Sequence, residues 1–169
     1  MAETFLRTLR SLTTCYQAFA AYSAAHVRQL GLTPPQFDVL ATLGNTDGMS
    51  CRELGERTLI TKGTLTGVLD RLEARRLLRR TPSEQDRRSV FVQLTPAGEA
   101  LFAKVFPRHL THLRPAFAEL NARELEALEA LLGRLTRRFV ADAGDAAEAP
   151  SPKGRMIAAS HRTATRSTR

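Results

Sequence analysis

Apolar residues near the start of the chain recur at alternating spacings of four and three, which is the pattern of one stripe along an amphipathic helix. The stripe consists of Phe5, Leu9, Leu12, Tyr16 and Phe19. The pattern predicts a long helix from Glu3 to about Leu30 that ends at Gly31 and packs its apolar face against another element.

Capping motifs divide the next segment into further helices. Thr33 and Gln36 enclose two prolines and form a capping box, which predicts the start of a second helix. After a loop of turn-forming residues, Ser50 and Glu53 repeat the motif and open a short helix that ends near Arg57.

A longer helix is predicted next, from the cap Thr61 to about Arg75. Its buried face is expected to hold Leu65, Val68, Leu69 and Leu72. Two short helices joined by a tight turn form the helix-turn-helix pattern.

The period changes from helical to alternating after Leu77. Leu78 begins one short strand, and residues 82–86 form a polar turn. In the second strand Val90, Val92 and Leu94 alternate with Ser89, Phe91 and Gln93. This pattern predicts a β-hairpin with a charged tip.

Two helices are predicted to follow the hairpin. Thr95 and Pro96 begin the first, which Pro107 and Pro115 should kink or interrupt. Its inward residues are predicted to be Leu101, Val105, Leu110, Leu113 and Phe117. The last helix starts at Asn121 and carries an apolar seam typical of helices that pack nearly parallel. The seam consists of Leu125, Leu128, Leu132, Leu135 and Phe139.

The composition narrows the functional class. The 169 residues are 43% hydrophobic, which suits one domain with a real core. The formal charge of +8 favours polyanionic partners such as nucleic acid. No stretch approaches the about 18 apolar residues of a membrane span. The two cysteines lie in different predicted helices and form no disulfide framework, so a cytoplasmic protein without a membrane partner is expected.

The sequence contains no motif that predicts an enzyme or a metal site. We find no nucleophile motif, phosphate-binding loop or pair of catalytic carboxylates, so neither catalysis nor a cofactor is expected. His109 and His112 stand three residues apart, a spacing that permits metal ligation from one helix face. The sequence shows no third ligand, and no metal site is predicted.

The order of these elements resembles the MarR (multiple antibiotic resistance regulator) family of transcriptional regulators over about residues 1–140. Residues 63–73, GTLTGVLDRLE, resemble the recognition helix of that family. Residues 86–88, Asp-Arg-Arg, resemble its wing, and the residues that continue this match are Val90, Val92, Leu94, Thr95 and Gly98. One departure is Arg76, where family members commonly have glycine. Arg76 must adopt a left-handed conformation at a cost of about 1–2 kcal/mol or end the helix differently.

The resemblance implies a mainly α (α+β) fold, a winged helix-turn-helix with long terminal dimerisation helices. We divide the chain into an N-terminal dimerisation helix (1–32), a winged helix-turn-helix lobe (33–94), C-terminal helices that complete the dimerisation region (95–140) and a basic tail (141–169). The tail is expected to be disordered because it has few large apolar groups.

The recognition helix is expected to enter the major groove of double-stranded DNA. Its N-terminal end offers short hydroxyl donors, a cation and a glycine that allows close approach to a phosphate. The predicted DNA contacts on this helix are Thr61, Lys62, Gly63, Thr64, Thr66 and Arg71.

The wing supplies the remaining predicted contacts. Arg88 is predicted to enter the minor groove, where the negative potential is focused. Arg80 and Arg87 are candidates for phosphate contacts, with a solvated charged strand as the alternative. By resemblance, Asp86 orients an arginine, either Arg88 or Arg80.

The resemblance also implies a homodimer on a pseudo-palindromic operator with half-sites about 10 bp apart. Family members lose DNA affinity when a small amphipathic or aromatic effector binds between the dimer helices and the DNA-binding lobe, or when a cysteine is oxidised. Cys15 is the candidate redox sensor, and a small core residue is the alternative.

We therefore interpret the chain as a sequence-specific DNA-binding transcriptional regulator, a repressor released by a small-molecule ligand or by thiol oxidation. The alternative is a winged-helix module that binds DNA without sequence preference or mediates protein association.

Overall fold

The computed structural model describes residues 2–58, 60–82 and 89–148, and within them the chain is mainly helical. In chain order the elements are α1 (Ala2–Gln29), α2 (Pro34–Leu43), β1 (Met49–Ser50), α3 (Cys51–Arg57), α4 (Lys62–Ala74), β2 (Leu78–Pro82), β3 (Val90–Leu94), α5 (Pro96–Phe117) and α6 (Ala122–Glu148). The chain divides into two compact units, residues 1–119 and residues 120–169, and α6 belongs to the second.

The predicted helix starts at Thr33 and Ser50 are confirmed by their capping bonds. Thr33 Oγ1 accepts a hydrogen bond from the backbone N–H of Gln36, and the Gln36 side chain accepts one from the backbone N–H of Thr33. Ser50 Oγ accepts from the backbone N–H of Glu53 at 3.1 Å. These bonds satisfy first-turn donors that have no partner inside the helix.

The same reciprocal arrangement begins α6. The backbone N–H of Glu124 donates to Asn121 Oδ1 at 3.1 Å, and Glu124 Oε2 accepts from the backbone N–H of Asn121 at 2.9 Å. The predicted start of the last helix is therefore confirmed.

A short strand that the sequence pattern did not predict, β1, joins the predicted hairpin. The sheet order is β1-β3-β2, with Met49 opposite Val92 and Leu78 opposite Leu94. Gly48, just before β1, has φ +103°, and a Cβ there would lie 2.6 Å from the carbonyl oxygen of Val92. Glycine is therefore required for β1 to approach β3 so closely.

The core of the first unit fixes the helix-turn-helix. The predicted inward face of α4 is confirmed, because Leu65, Val68, Leu69 and Leu72 are all buried. This face packs in one cluster with residues of α2, α3 and the sheet, namely Val39, Leu40, Leu43, Leu54, Leu78 and Val92. Burial of these large apolar side chains is the main stabilisation of this lobe.

Arg76 adopts the left-handed conformation, with φ +57°. The backbone N–H of Arg76 donates to Glu73 O at 2.7 Å, and that of Leu77 donates to Leu72 O at 3.0 Å. These two bonds form a Schellman motif, which ends α4 and turns the chain into β2.

Pro107 and Pro115 were predicted to kink or interrupt α5; the interruption is wrong, and so is part of the predicted inward face. The helix is continuous through Pro107 and Pro115. Both prolines are exposed, as are Ala103 and Thr111, whose carbonyls lose their helical donor, so water can replace the lost bonds. The buried residues are Gly98, Phe102, Val105 and His109, whereas Leu110 and Phe117 are exposed.

The predicted start of the tail at residue 141 also differs from the structure. Helix α6 continues to Glu148, because alanine-rich sequence favours helix even without large apolar groups. The rest of the predicted tail, 149–169, lies outside the described residues. In the described part of the chain, no helix is both long and apolar enough to cross a membrane.

Candidate nucleic-acid interface

The outer face of α4 is available to a partner because its opposite face is held in the core. Thr61, Thr64 and Thr66 are exposed, while Leu65 and Leu69 on the opposite face are buried. All three hydroxyl groups predicted to contact DNA therefore lie toward the N-terminal end of the recognition helix.

The first turn of α4 keeps its backbone donors available. Thr61 occupies the N-cap position, as predicted, but its side chain makes no capping bond to the backbone. Its hydroxyl instead lies 3.0 Å from that of Thr64. Uncapped N–H groups at a helix N-terminus, together with the helix dipole, suit a phosphate oxygen.

No packing contact within the described part of the chain explains why position 63 is a glycine. A Cβ built at this position meets no atom within 4 Å. Glycine costs about 0.5–1 kcal/mol relative to alanine in a helix. The cost is understandable if an external surface, such as a DNA backbone, approaches the helix here.

Arg71 is exposed and folds back along α4. Its Nε donates to the carbonyl oxygen of Gly67 at 3.0 Å. A Cβ at Gly67 would lie 3.3 Å from Arg71 Nη2, so glycine leaves room for the guanidinium. The bond places this cation beside the middle turns of the recognition helix.

Arg80 differs from the free phosphate-binding cation that the sequence suggested. Its Nη2 lies 2.8 Å from Asp70 Oδ1, and its Nε donates to Glu73 Oε2 at 2.9 Å. The backbone N–H of Arg80 also donates to Glu73 Oε1 at 3.1 Å. The Arg80 hydrogen bond lowers the pKa of Glu73. Arg80 therefore ties β2 to α4.

Asp86, Arg87 and Arg88 lie outside the described residues. The prediction that Asp86 orients an arginine, either Arg88 or Arg80, therefore stays a prediction.

A cavity of about 440 Å³ lies among α1, α2 and α5. Apolar side chains that include Phe19, Val27, Phe37 and Phe106 form most of its wall. Its polar groups include Asp38 and the pair of Ser23 Oγ and His109 Nε2, which are 3.1 Å apart. An aromatic wall with few polar groups suits a small amphipathic molecule.

Sequence reasoning missed a histidine cluster beside this cavity. His109 and His112 attracted attention through their spacing, but the third member, His26, is 83 residues from His109. The only local signal was the pair on α5, because the packing of α1 on α5 creates the cluster. Burial is the main reason why the pKa values of His26 and His109 are lowered. Among the described residues, no three potential ligands are arranged to hold a metal ion.

Cys15, the candidate redox sensor, is exposed on α1. The alternative interpretation as a core residue does not hold within a single chain. Cys51 lies at the start of α3 and is half-buried, and burial raises the pKa of its thiol.

Large apolar side chains of both terminal helices are exposed in the single chain. On α1, Phe5 is 63% exposed and Tyr16 is 57% exposed. On α6, Phe139 is 58% exposed, and the other exposed apolar residues are Leu128, Leu131, Leu132, Leu135 and Val140. Apolar surface of this extent is typical of a protein–protein interface.

A helix-turn-helix held by a core and followed by a β-hairpin defines a winged-helix protein of the DNA-binding class. The model of the MarR family matches residues 30–89. The chain is 30% identical over 135 residues to the HTH-type transcriptional regulator MhqR of Bacillus subtilis, across 80% of this chain and 93% of MhqR. The chain therefore belongs to the MarR family of transcriptional regulators, as the motifs indicated.

Solved structures agree with this assignment. BpsR of Bordetella bronchiseptica, whose DNA binding is regulated by 6-hydroxynicotinic acid, matches with a TM-score of 0.65 and 32% identity over 77% of this chain and 98% of BpsR. AbsC, a MarR family regulator from Streptomyces coelicolor, matches with a TM-score of 0.75 and 26% identity over 82% of this chain and 95% of AbsC. The predicted winged helix-turn-helix fold is confirmed.

Proposed function

We propose that this regulator is a repressor that binds a pseudo-palindromic operator as a homodimer and is released by a small molecule. The observation that carries the proposal is the outward face of α4, where Thr61, Thr64 and Thr66 are exposed beside uncapped backbone donors. A helix with its apolar face in the core and its N-terminal hydroxyls outside is suited to the major groove.

The proposed DNA contacts fall into two groups. Thr64, Thr66 and Arg71 read base edges or nearby phosphates, while Thr61, Lys62 and Gly63 meet the DNA backbone at the start of α4. In the wing, Arg87 binds phosphate and Arg88 enters the minor groove with Asp86 as its orienting partner. Arg80 acts indirectly, through the position of β2.

The dimer is proposed from the exposed apolar faces of α1 and α6. A second copy of the chain can cover these faces, since a two-fold interface pairs the same surface on both copies. Two recognition helices then meet successive major grooves, with half-sites about 10 bp apart.

Release is proposed through the cavity among α1, α2 and α5. The cavity contacts α1, which belongs to the proposed dimer interface, and α2, which packs on α4 in the core. A ligand that fits one spacing of these helices better than another shifts the protein toward that spacing. The relative BpsR, which responds to an aromatic acid, supports an aromatic effector for this cavity.

Thiol oxidation is a second proposed route, favoured by the exposure of Cys15 on α1. Peroxide treatment should weaken DNA binding by the wild-type protein and leave Cys15→Ser unaffected. Equal responses of the two proteins would remove Cys15 from the mechanism.

The proposed interface is tested by titrating an operator fragment with variants and following fluorescence anisotropy. We expect Thr66→Ala to weaken binding about tenfold, within the range of one lost base contact. Arg88→Ala should weaken binding and reduce the salt slope by about one. Thr111→Ala, an exposed threonine on α5, is the matched control. Wild-type affinity in Thr66→Ala, Lys62→Ala and Arg88→Ala alike would contradict the interface.

A further inference from the structure

Three histidine rings lie together where α1 packs on α5. The rings of His26 and His112 are stacked, with centroids 4.0 Å apart and planes within 6°. The centroids of His26 and His109 are 5.2 Å apart, and the Nδ1 atoms of these two rings are 2.9 Å apart. The cluster therefore connects one residue of α1 with two residues of α5.

The distance between the two Nδ1 atoms limits how many protons the cluster can hold. A hydrogen bond between two imidazole nitrogens contains one proton, which one ring donates and the other accepts. His109 Nε2 also has a partner, Ser23 Oγ at 3.1 Å. If His26 and His109 were both fully protonated, two N–H groups would point at each other and the contact would break.

The surroundings of the cluster disfavour protonation of even one ring. His109 is only 4% exposed, and His112 Nε2 is buried without a hydrogen-bond partner. Burial lowers the pKa of His26 and of His109, and the neighbouring His112 and Arg108 lower that of His26 further. A charged imidazole loses hydration in such a site.

Polar groups on α1 and α2 also lie around the cluster. From α1, the Tyr22 hydroxyl donates to the backbone carbonyl of His112 at 3.1 Å. From α2, Phe37 meets the edge of the His109 ring, and Asp38 shares the wall of the cavity with His109. No carboxylate is among the causes of the lowered pKa values of His26 and His109.

We infer that His26 and His109, with His112 stacked on His26, form a proton-sensitive latch that holds α1 against α5 while the His26 and His109 rings are neutral and releases α1 when these two rings are protonated. The inference goes beyond the proposed function, because the latch acts in the protein alone, without DNA or effector. Its opening also changes the cavity wall, to which Ser23 and His109 both belong.

The direction of the pH dependence follows from the lowered pKa values. Below the ordinary histidine pKa of about 6.5, the open form binds more protons than the closed form. The latch is therefore fully stable above pH 6.5 and loses stability as the pH falls through and below that value. The opening equilibrium rises about tenfold per pH unit for each histidine that is protonated only in the open form.

Hydrogen–deuterium exchange of the full chain at about pH 7.5 and about pH 5.5 tests the latch. After correction for the intrinsic exchange rate, residues 20–29 of α1 should lose about tenfold or more of their protection at the lower pH. Residues 65–72 of α4 should keep theirs, because they belong to the core and not to the latch. Equal protection of α1 at both pH values, or an equal loss in α1 and α4, would overturn the inference.

Histidine variants test which side chains cause the pH-dependent loss of protection in α1. His26→Gln replaces a half-buried ring and should remove most of the pH-dependent loss in residues 20–29; His109→Gln should do the same if it folds. His161→Gln, which removes the fourth histidine of the chain, should respond like the wild type. A full response in His26→Gln, or its loss in His161→Gln, would show that other groups control the opening.

Discussion

The recognition helix ends just before Arg76, an arginine in the left-handed backbone conformation. The surrounding structure imposes this conformation although residues with a side chain disfavour it. Arg76 has φ +57° because the Schellman bonds and the burial of Leu77 and Leu78 fix the chain on both sides. The structure thus accepts a local cost of about 1–2 kcal/mol to place β2 beside α4.

Arg76→Gly should stabilise the protein by about 0.5–1 kcal/mol, since relief of the strained conformation exceeds the added entropy of the unfolded chain. Asn45→Gly is the matched comparison, because Asn45 has φ 58° but asparagine tolerates this region better. The measurement is the urea midpoint of each variant. A gain no larger for Arg76→Gly than for Asn45→Gly would contradict the assigned strain.

The ion pairs of Arg80 lead to a second prediction at this scale. Arg80→Gln should lower the free energy of unfolding by about 1 kcal/mol, because these pairs are only partly buried. The pKa of Glu73 is lowered in the folded protein, so its stabilisation is present above its ordinary pKa of about 4.5 and is lost as the pH falls. Urea unfolding between about pH 6 and about pH 4 should therefore show a steeper loss for the wild type than for the variant. Parallel curves would contradict the role of the pair.

Which residue roles can be predicted depends on how far apart the partners lie in sequence. The caps at Thr33, Ser50 and Asn121 were predictable because each partner is three residues away. Arg80 was not, because its partners are on a different element, and the sequence equally allowed a partner in the wing. The same reason kept His26 out of any sequence-based cluster.

At the scale of elements, apolar periodicity identified the long helices and the hairpin but placed one face wrongly. The face of α4 follows from four buried residues at helical spacing, whereas α5 carries apolar residues on more than one side, so the pattern alone could not select the buried stripe. Strand β1 has only two residues, too few for an alternation to be seen.

Gly63 provides the prediction at this scale. Because a Cβ there meets nothing within 4 Å, Gly63→Ala should stabilise the free protein by about 0.5–1 kcal/mol while it weakens operator binding. Gly133→Ala in α6, where a Cβ would be 3.6 Å from Arg137 Nη1, should give a similar gain without loss of binding. Thermal unfolding and anisotropy titration measure the two effects. Undiminished DNA binding by Gly63→Ala would mean that DNA does not approach this glycine.

At the scale of the whole molecule, the sequence indicated two long helices with apolar faces, and the structure leaves both faces exposed in the single chain. The interface they form with a second copy is an expectation from the family and from apolar area. The geometry of this interface could not be predicted, because periodicity identifies an apolar helix face but not the surface that covers it.

The double variant Leu128→Glu/Leu135→Glu should convert the proposed dimer to a monomer, because burial of four added charges at a two-fold interface is costly. Arg134→Glu changes charge outside this seam and is the control. Sedimentation velocity measures the oligomeric state, and circular dichroism checks that the lobe remains folded. A double variant that stays dimeric would exclude this seam from the interface.

In the proposed function, two copies of α4 and the wing, related by two-fold symmetry, read a specific DNA sequence. Selection of bound DNA from a random library with the purified protein tests it most directly. We predict an enriched inverted repeat with half-sites about one helical turn apart, and loss of the enrichment with Thr64→Ala/Thr66→Ala. Salt-sensitive binding without any enriched sequence would instead show a non-specific DNA-binding protein and contradict the account.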